Sequence, residues 1–305
     1  RTQFCNVKVS IPGTNIVATG DGIANDQPAI QAALNRCPTN AYVYAPASRY
    51  LFSTNVNFNG DYRTLRGDGT GTVFVVNFLN EVYSTNTNTF VITTNITGSF
   101  INFGSYSEQG TWRTNIVDIP VGATNTTWDS INGLGALFPG VDGVVKFSWN
   151  DAGTNSGYAD MPDGPGSDDP VHYSANGSSK SLAGDPLVRF LPRITGTNTG
   201  NHVYFWPPSP YYFPSNQTRS KYLYVNSLKY SGLEDFAIEC KGKISVGVQM
   251  SQGMGSWIRG LYITQPVKAH VAVSYSTLCE FTENVFDGAP NYGPSQGIGL
   301  HLDSH

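Results

Sequence analysis

The chain has 305 residues, with 18 Lys and Arg against 22 Asp and Glu, only 13% charged residues, and 33 Gly and 18 Pro. No basic run could release a line of phosphate counterions, which argues against nucleic acid as a partner, and no apolar stretch nears the ~18 residues of a membrane span. Sparse charge with abundant Gly, Pro, Asn, Tyr and Phe suits short strands joined by turns and excludes a helical bundle, a coiled coil or a disordered tail.

The chain opens Arg1-Thr2-Gln3 without a methionine or an apolar leader, as expected where a targeting peptide has been removed. Val7 to Ile11 reads as a strand, Gly20-Asp21-Gly22 as a turn, and Asn25 to Leu34 as a helix. In that helix Asp26 is placed to cap the first turn, Pro28 is tolerated there, and Ile30, Ala33 and Leu34 form the apolar face. Their turn and cap positions account for Asp21 and Asp26 without a catalytic role. Cys5 and Cys37 bracket this unit, and a disulfide between them would close a loop of about 30 residues and contribute roughly 3 to 4 kcal/mol; two buried thiols are the alternative. Tyr42 to Tyr44, Tyr50 to Phe52, Val56 to Phe58 and Thr64 to Gly67 follow as brief strands.

Residues 81–230 are expected to hold irregular β-rich coils with insertions. Asp160, Asp163, Asp168 and Asp169 crowd one Gly-rich loop; such carboxylates with loop carbonyls could bind Ca2+, and the alternative is a solvated turn and no cofactor. Downstream, Trp206, Tyr211 and Tyr212 could offer flat faces to sugar rings, or simply pack the loop, which Pro207, Pro208 and Pro210 would stiffen.

The last third carries a repeat. Leu233 to Ile238, Ile258 to Ile263 and Phe281 to Phe286 place apolar residues in phase at offsets of 25 and 23 residues. Between them Val246 to Met250, Val271 to Val273 and Ile298 to Leu302 alternate apolar with small or polar residues. A unit this short cannot bury its own face and must stack on its neighbours as a coil of parallel strands; an antiparallel sandwich explains the strands but not the phase. Alternation sends Gln249, Ser251, His270, Ser274, His301 and Asp303 outward, with His301 as a candidate base beside Asp303, and His270 as a second candidate catalytic imidazole. Cys240 and Cys279 fall at opposite ends of a column and are expected unpaired.

Gly20-Asp21-Gly22, Asn25-Asp26, Ala29 to Ala33, Tyr42 to Pro46, Tyr50 to Phe52 and Leu65 to Gly69 stand in an order that resembles the N-terminus of the pectate lyase superfamily, and Ser256 to Ile263, His270 to Tyr275 and Cys279 to Gly288 resemble its coils. The resemblance implies an all-β, right-handed parallel β-helix with a short N-terminal capping helix and long loop excursions. It would be a single domain over 1–305, with cap and first coils at 1–80 and regular coils at 231–305 that break off within a fresh strand. It also implies a polysaccharide partner, an extracellular or cell-surface location, and an enzyme acting as a lyase or hydrolase of an acidic polysaccharide. The Asn-Thr-Asp and Gly-His-Gly signatures of polygalacturonase-like hydrolases and the arginine-base motif of pectate lyases are not found. A non-catalytic surface, fibre or adhesion rod therefore stays open beside the enzyme, as does self-association through an open coil end or as a homo-oligomer.

Overall fold

The structure is a computed structural model that describes residues 3–9, 11, 13–39, 41–78, 83–85, 92–94, 98–104, 112–129, 144–149, 188–190, 192–198, 200–210, 212–213, 215, 218–223, 228–251, 253–274, 276–290 and 297–303. Two compact units are present, residues 1–106 with 226–304, and residues 107–225. Among the described residues no helix is long and apolar enough to cross a membrane.

The first unit is a parallel β-helix. Its repeat is too short to bury an apolar face alone, so each coil lays its strands beside those of the next, about 4.8 Å apart. In one sheet Leu233 lies between Leu65 and Ile258, and Phe281 follows. Ile238 likewise lies between Phe74 and Ile263, with Phe286 beyond. These are the expected inner columns; Leu65, Leu233, Ile258, Phe74, Ile238 and Ile263 are fully buried, while Phe281 and Phe286 on the last coil are half-buried. A second parallel sheet runs Val56–Phe58, Ser99–Phe103, Val246–Ser251, Ala269–Ser274 and Ile298–Asp303. Ile101 and Val248 are neighbours in it although residues 107–225 intervene.

Three corners of the coil repeat in backbone conformation. Tyr62, Tyr230, Gly255 and Leu278 form one set of left-handed residues, Asp235, Gly260 and Glu283 a second, and Lys241, Gln265 and Gly288 a third. The left-handed region is costly for most side chains and tolerated by Gly, Asp and Asn, so the in-phase recurrence of this conformation is what bends every coil at the same places. At Gly260 a Cβ would lie 2.5 Å from Asp235 Oδ1 on the preceding coil, so any other residue there would displace that carboxylate.

The helix, Gln27–Arg36, starts directly after Asp26, runs two residues past Leu34 and buries Ala29, Ile30, Ala33 and Leu34. Asp26 stands at its N-cap but makes no side-chain cap, because its own backbone is already helical (φ −89°, ψ −7°). Its buried carboxylate instead accepts from the backbone N–H groups of Thr19 (2.6 Å), Gly20 and Leu51 (3.3 Å), tying the turn to the first coils. The strand expected at Val7 to Ile11 lies earlier, at Gln3–Asn6, paired in parallel with Ala41–Tyr44; Val7 and Ile11 are buried from the turn that follows. Cys5 and Cys37 are bonded, with Cα atoms 6.1 Å apart, and Cys240 and Cys279 are free.

Within 81–230 only Ser99–Phe103 and Leu228–Lys229 join parallel pairings among the described residues. The second unit is an antiparallel sheet in the order Trp112–Thr114, Thr218–Leu223, Val144–Trp149, Arg193–Thr197, His202–Trp206 and Asn125–Thr127, with Val188–Phe190 also on Val144–Trp149. The link from Thr197 to His202 is of hairpin length, which permits an antiparallel pair but not a parallel crossover.

Candidate functional site

The outer face of the second sheet carries a polar row that crosses its coils and is interrupted at Ala272. Val56, Phe58, Ile101, Phe103, Val248 and Met250 point into the core, so the residues between them face out. Register places Asn57 beside Asn102, Asn102 beside Gln249, Gln249 beside Ala272, and Ala272 beside His301. Ser251, Ser274 and Asp303 form the parallel rung two residues on. Hydrogen bonds run along the row, between neighbouring coils at Asn102–Asn57 and Ser251–Ser274 and within one strand at Ser99–Asn102 and Gln249–Ser251. Asn102 Nδ2 donates to Asn57 Oδ1 at 3.0 Å, the Ser99 hydroxyl donates to Asn102 Oδ1, Gln249 Nε2 donates to Ser251 Oγ at 3.3 Å, and the Ser251 and Ser274 hydroxyls lie 3.2 Å apart. Amides and hydroxyls both donate and accept, so the row matches the mixed hydrogen-bonding edge of a sugar chain. Ala272 leaves a gap between Gln249 and His301, and His301 is the titratable side chain on its rung.

His270 does not join this row. It follows the turn between the two sheets, is 4% exposed, and its ring lies 5.4 Å from that of Phe286. Nδ1 is 3.0 Å from the Ile298 carbonyl and Nε2 is 3.0 Å from that of Gly288. With both ring nitrogens against main-chain oxygens, none is left for a substrate. The alternation rule fails here because the strand has only just left its corner.

Trp206 and Tyr212 belong to the other unit. Trp206 is 51% exposed, whereas the Tyr212 hydroxyl is engaged, donating to Asp118 Oδ2 at 2.6 Å. That bond, with the Ser215 N–H, holds the Asp118 carboxyl below the usual carboxylate range. Tyr211 and the four loop carboxylates Asp160, Asp163, Asp168 and Asp169 lie outside the described residues, as does the Asp303 side chain. Among the described residues no group of three or more His, Cys, Asp and Glu could hold a metal ion.

A charged ladder on the first sheet was missed. Tyr44, Arg66, Glu234, Arg259 and Thr282 follow one another in register. The Glu234 carboxylate accepts from Trp257 Nε1 at 2.8 Å and pairs with Arg259 Nη2 at 3.1 Å and Arg66 Nε at 3.9 Å. The carboxylate is nearly covered while both guanidiniums stay about half exposed. Arg66 also lies over the Tyr42 ring, and the Tyr44 hydroxyl donates to Asp68, which raises the phenol's pKa. Nearby, Arg49 grips Glu239 in a fork of 3.0 and 2.7 Å. Leu65-Arg66, Leu233-Glu234 and Ile258-Arg259 occupy the same repeat position in the sequence, and that was the available signal.

Comparisons with known proteins bear on the fold. Residues 14–133 match the family model described as rhamnogalacturonase A/epimerase, pectate lyase-like. No curated protein matches the chain. Among solved structures it is similar to the tailspike gp61 of Pseudomonas phage phi297, at 14% identity and a TM-score of 0.57, over 98% of this chain and 45% of that one. Others are the tailspike gp49 of Pseudomonas phage LKA1 (13% identity, TM-score 0.48, 89% and 45%) and PfbA, a surface adhesin of Streptococcus pneumoniae (10%, 0.41, 90% and 37%). The chain thus spans less than half the length of these structures. The first unit of the chain is a parallel β-helix, and residues 14–133 are similar to a pectate lyase-like family model.

Proposed function

We propose that this protein is a carbohydrate-active β-helix that takes an acidic polysaccharide along the outer face of the second sheet, as a lyase or a hydrolase. The observation that carries the reading is the register that lines up Asn57, Asn102 and Gln249 on successive coils and, beyond Ala272, His301, with Ser251 and Ser274 beside them. Such a row runs along the coil axis and offers a donor or acceptor at nearly every ~4.8 Å step, which suits an extended sugar chain. His301 is the group of the row able to take a proton beside a uronate carboxylate. The pectate lyase-like match over residues 14–133 supports a carbohydrate substrate, and the Cys5–Cys37 bond supports an oxidising, extracellular setting. The second reading is a non-catalytic, glycan-binding rod, favoured by the absence from the described row of two facing carboxylates such as a hydrolase requires.

A panel of polysaccharides separates these readings. New reducing ends with the ultraviolet absorbance of an unsaturated uronate identify a lyase, and new reducing ends without it a hydrolase. Binding without cleavage identifies the rod, and neither binding nor cleavage across the panel rejects the carbohydrate reading.

A further inference from the structure

The seven strands of the antiparallel sheet hold Arg113, Lys146, Arg189, Arg193, Arg219 and Lys221 and not one Asp or Glu, in a chain whose acids outnumber its Lys and Arg by 22 to 18. Directly opposed residues of a sheet share a face, and so do residues two apart along a strand. Trp206 opposes Arg193, and Arg193 opposes Val144. Two residues beyond Val144, Lys146 opposes Lys221, and Ser148 opposes both Arg219 and Arg189. Five of the six cations therefore fall on the face that carries Tyr204 and Trp206, while Arg113, opposite Ser220, falls on the other. That other face holds Ile194, Val203 and Phe205, all buried, whereas Tyr204 is 39% exposed and Trp206 51%. Strands stand about 4.8 Å apart, so the band from Trp206 through Arg193 and Lys146 to Lys221 and Arg219 crosses four strands, roughly 14 Å. The cations are scattered along the sequence, and only the strand order gathers them. Lys146 and Lys221 are direct cross-strand neighbours, a like-charge pairing that costs stability, and no acid in any of the seven strands offsets it.

We infer that this face is a second binding site for an acidic polysaccharide, in which Arg193, Lys146, Lys221 and Arg219 take the carboxylates of a uronate chain and Tyr204 and Trp206 its flat C–H faces. A guanidinium grips a carboxylate through two parallel bonds, and an ammonium serves as a point charge. A field of one sign repels itself when empty and is relieved by a polyanion. The rings offer apolar bodies with polar tips. Asn125 and Thr127, opposite Tyr204 and His202, and Asn198, whose Nδ2 donates to the Tyr204 hydroxyl at 3.3 Å, are uncharged donors and acceptors suited to sugar hydroxyls. Nucleic acid is the other polyanion that stacks on aromatic rings, but its binding is dominated by charge, and the whole chain carries a formal charge of −4. The inference rests on the carbohydrate reading above and adds to it a contact for the polymer in a unit separate from the polar row.

The test is binding of the whole chain to immobilised polygalacturonate, alginate, methyl-esterified polygalacturonate and single-stranded DNA. The expected result is binding to the two acidic glycans that salt weakens, with the methyl ester, which keeps the sugar chain and removes its charge, bound at least about tenfold more weakly. Lys146→Gln with Lys221→Gln should weaken binding to the acidic glycans about tenfold, equivalent to about 1.4 kcal/mol. Its melting temperature should be no lower than the parent's, because an opposed like-charge pair has been removed; a purely structural role would move stability instead. Arg193→Gln, on another strand, and Trp206→Ala should each weaken binding about threefold or more. Lys146→Arg with Lys221→Arg should retain it, and Lys8→Gln, which removes one positive charge from the first unit, should leave it unchanged. Acidic-glycan binding that is unaltered in the Lys146→Gln, Lys221→Gln and Arg193→Gln variants overturns this face and leaves the polar row standing. Equal binding of the methyl ester overturns the charged contact, and tighter binding of DNA than of either uronate polymer assigns the face to nucleic acid and overturns the glycan. No binding of any acidic glycan overturns this face and the polar row together.

Discussion

Both ends of the Gln31 side-chain amide are bonded to the backbone of Asn57: Oε1 accepts from the Asn57 N–H at 2.9 Å, and Nε2 donates to its carbonyl at 2.8 Å. Val56–Phe58 is the first strand of the second sheet, and its free edge would otherwise present unpaired groups. Gln31 therefore acts as one rung of a missing strand, and Gln27 adds a bond to the Asn55 carbonyl. Gln31→Ala should lower stability in urea by about 1 to 3 kcal/mol, with Gln31→Glu, which lacks the donor, falling between. A loss below about 0.5 kcal/mol would mean water replaces the amide without penalty.

Glu234 should be the member of the charged ladder whose loss is felt most. Its carboxylate is nearly covered, and Trp257, Arg259 and Arg66 all point at it. The two guanidiniums are half exposed and can return to water, so Glu234→Ala should cost about 1 to 2 kcal/mol rather than the larger penalty of a fully buried pair. Trp257→Phe removes the indole donor and part of the ring's packing over Gly232 but leaves the ion pairs of Glu234 in place, and should cost less. Equal losses in the two variants, measured by chemical unfolding, would mean that packing of Trp257 over Gly232, rather than the charge, holds this face.

The Arg49–Glu239 fork predicts a dependence on acid. The hydrogen bonds from Arg49 hold the Glu239 carboxyl below the usual carboxylate range. A depressed carboxyl contributes stability that is present above its unfolded pKa and is lost as the pH falls through the folded one. Arg49→Met should therefore be less stable than the parent at neutral pH, by under about 1 kcal/mol because the pair is largely solvated. The difference should close as the pH drops below about 4.5. A difference that stays constant across that window would assign the effect to lost packing.

Thiol chemistry gives an independent check on the coils. Burial pushes the Cys240 thiol up, and that of Cys279 to about 11, so neither is a thiolate at neutral pH and both should react slowly in the native protein. Unfolding without reductant should release two thiols, and four after reduction. None before reduction would require a Cys240–Cys279 bond and a different stacking.

The inner columns were legible because Leu233, Ile258 and Phe281 repeat in phase, and one-sided burial fixes register strongly. The outer row was legible where alternation holds, at Gln249, Ser251, Ser274 and His301, and failed at His270, where the chain leaves a corner. Asn102 escaped because the excursion of residues 107–225 separates it from Gln249, and Asn57 because it lies 45 residues before Asn102, so neither shares the 23- to 25-residue offset of the later coils. Asp26 misled for a local reason. Its sequence position is that of a cap, but tertiary contacts with Thr19, Gly20 and Leu51 claim the carboxylate.

The central claim is that the row from Asn57 to His301 is one site. Binding and turnover of the best polysaccharide from the panel, measured for Asn102→Ala, Gln249→Ala and His301→Ala at unchanged melting temperature, test it most directly. Asn102→Ala and Gln249→Ala should each weaken binding about tenfold, as loss of one or two hydrogen bonds implies, while His301→Ala should bind the polymer but lose at least about a hundredfold in turnover if it is the base. Three variants that bind and turn over as the parent does would show that the chain acts elsewhere.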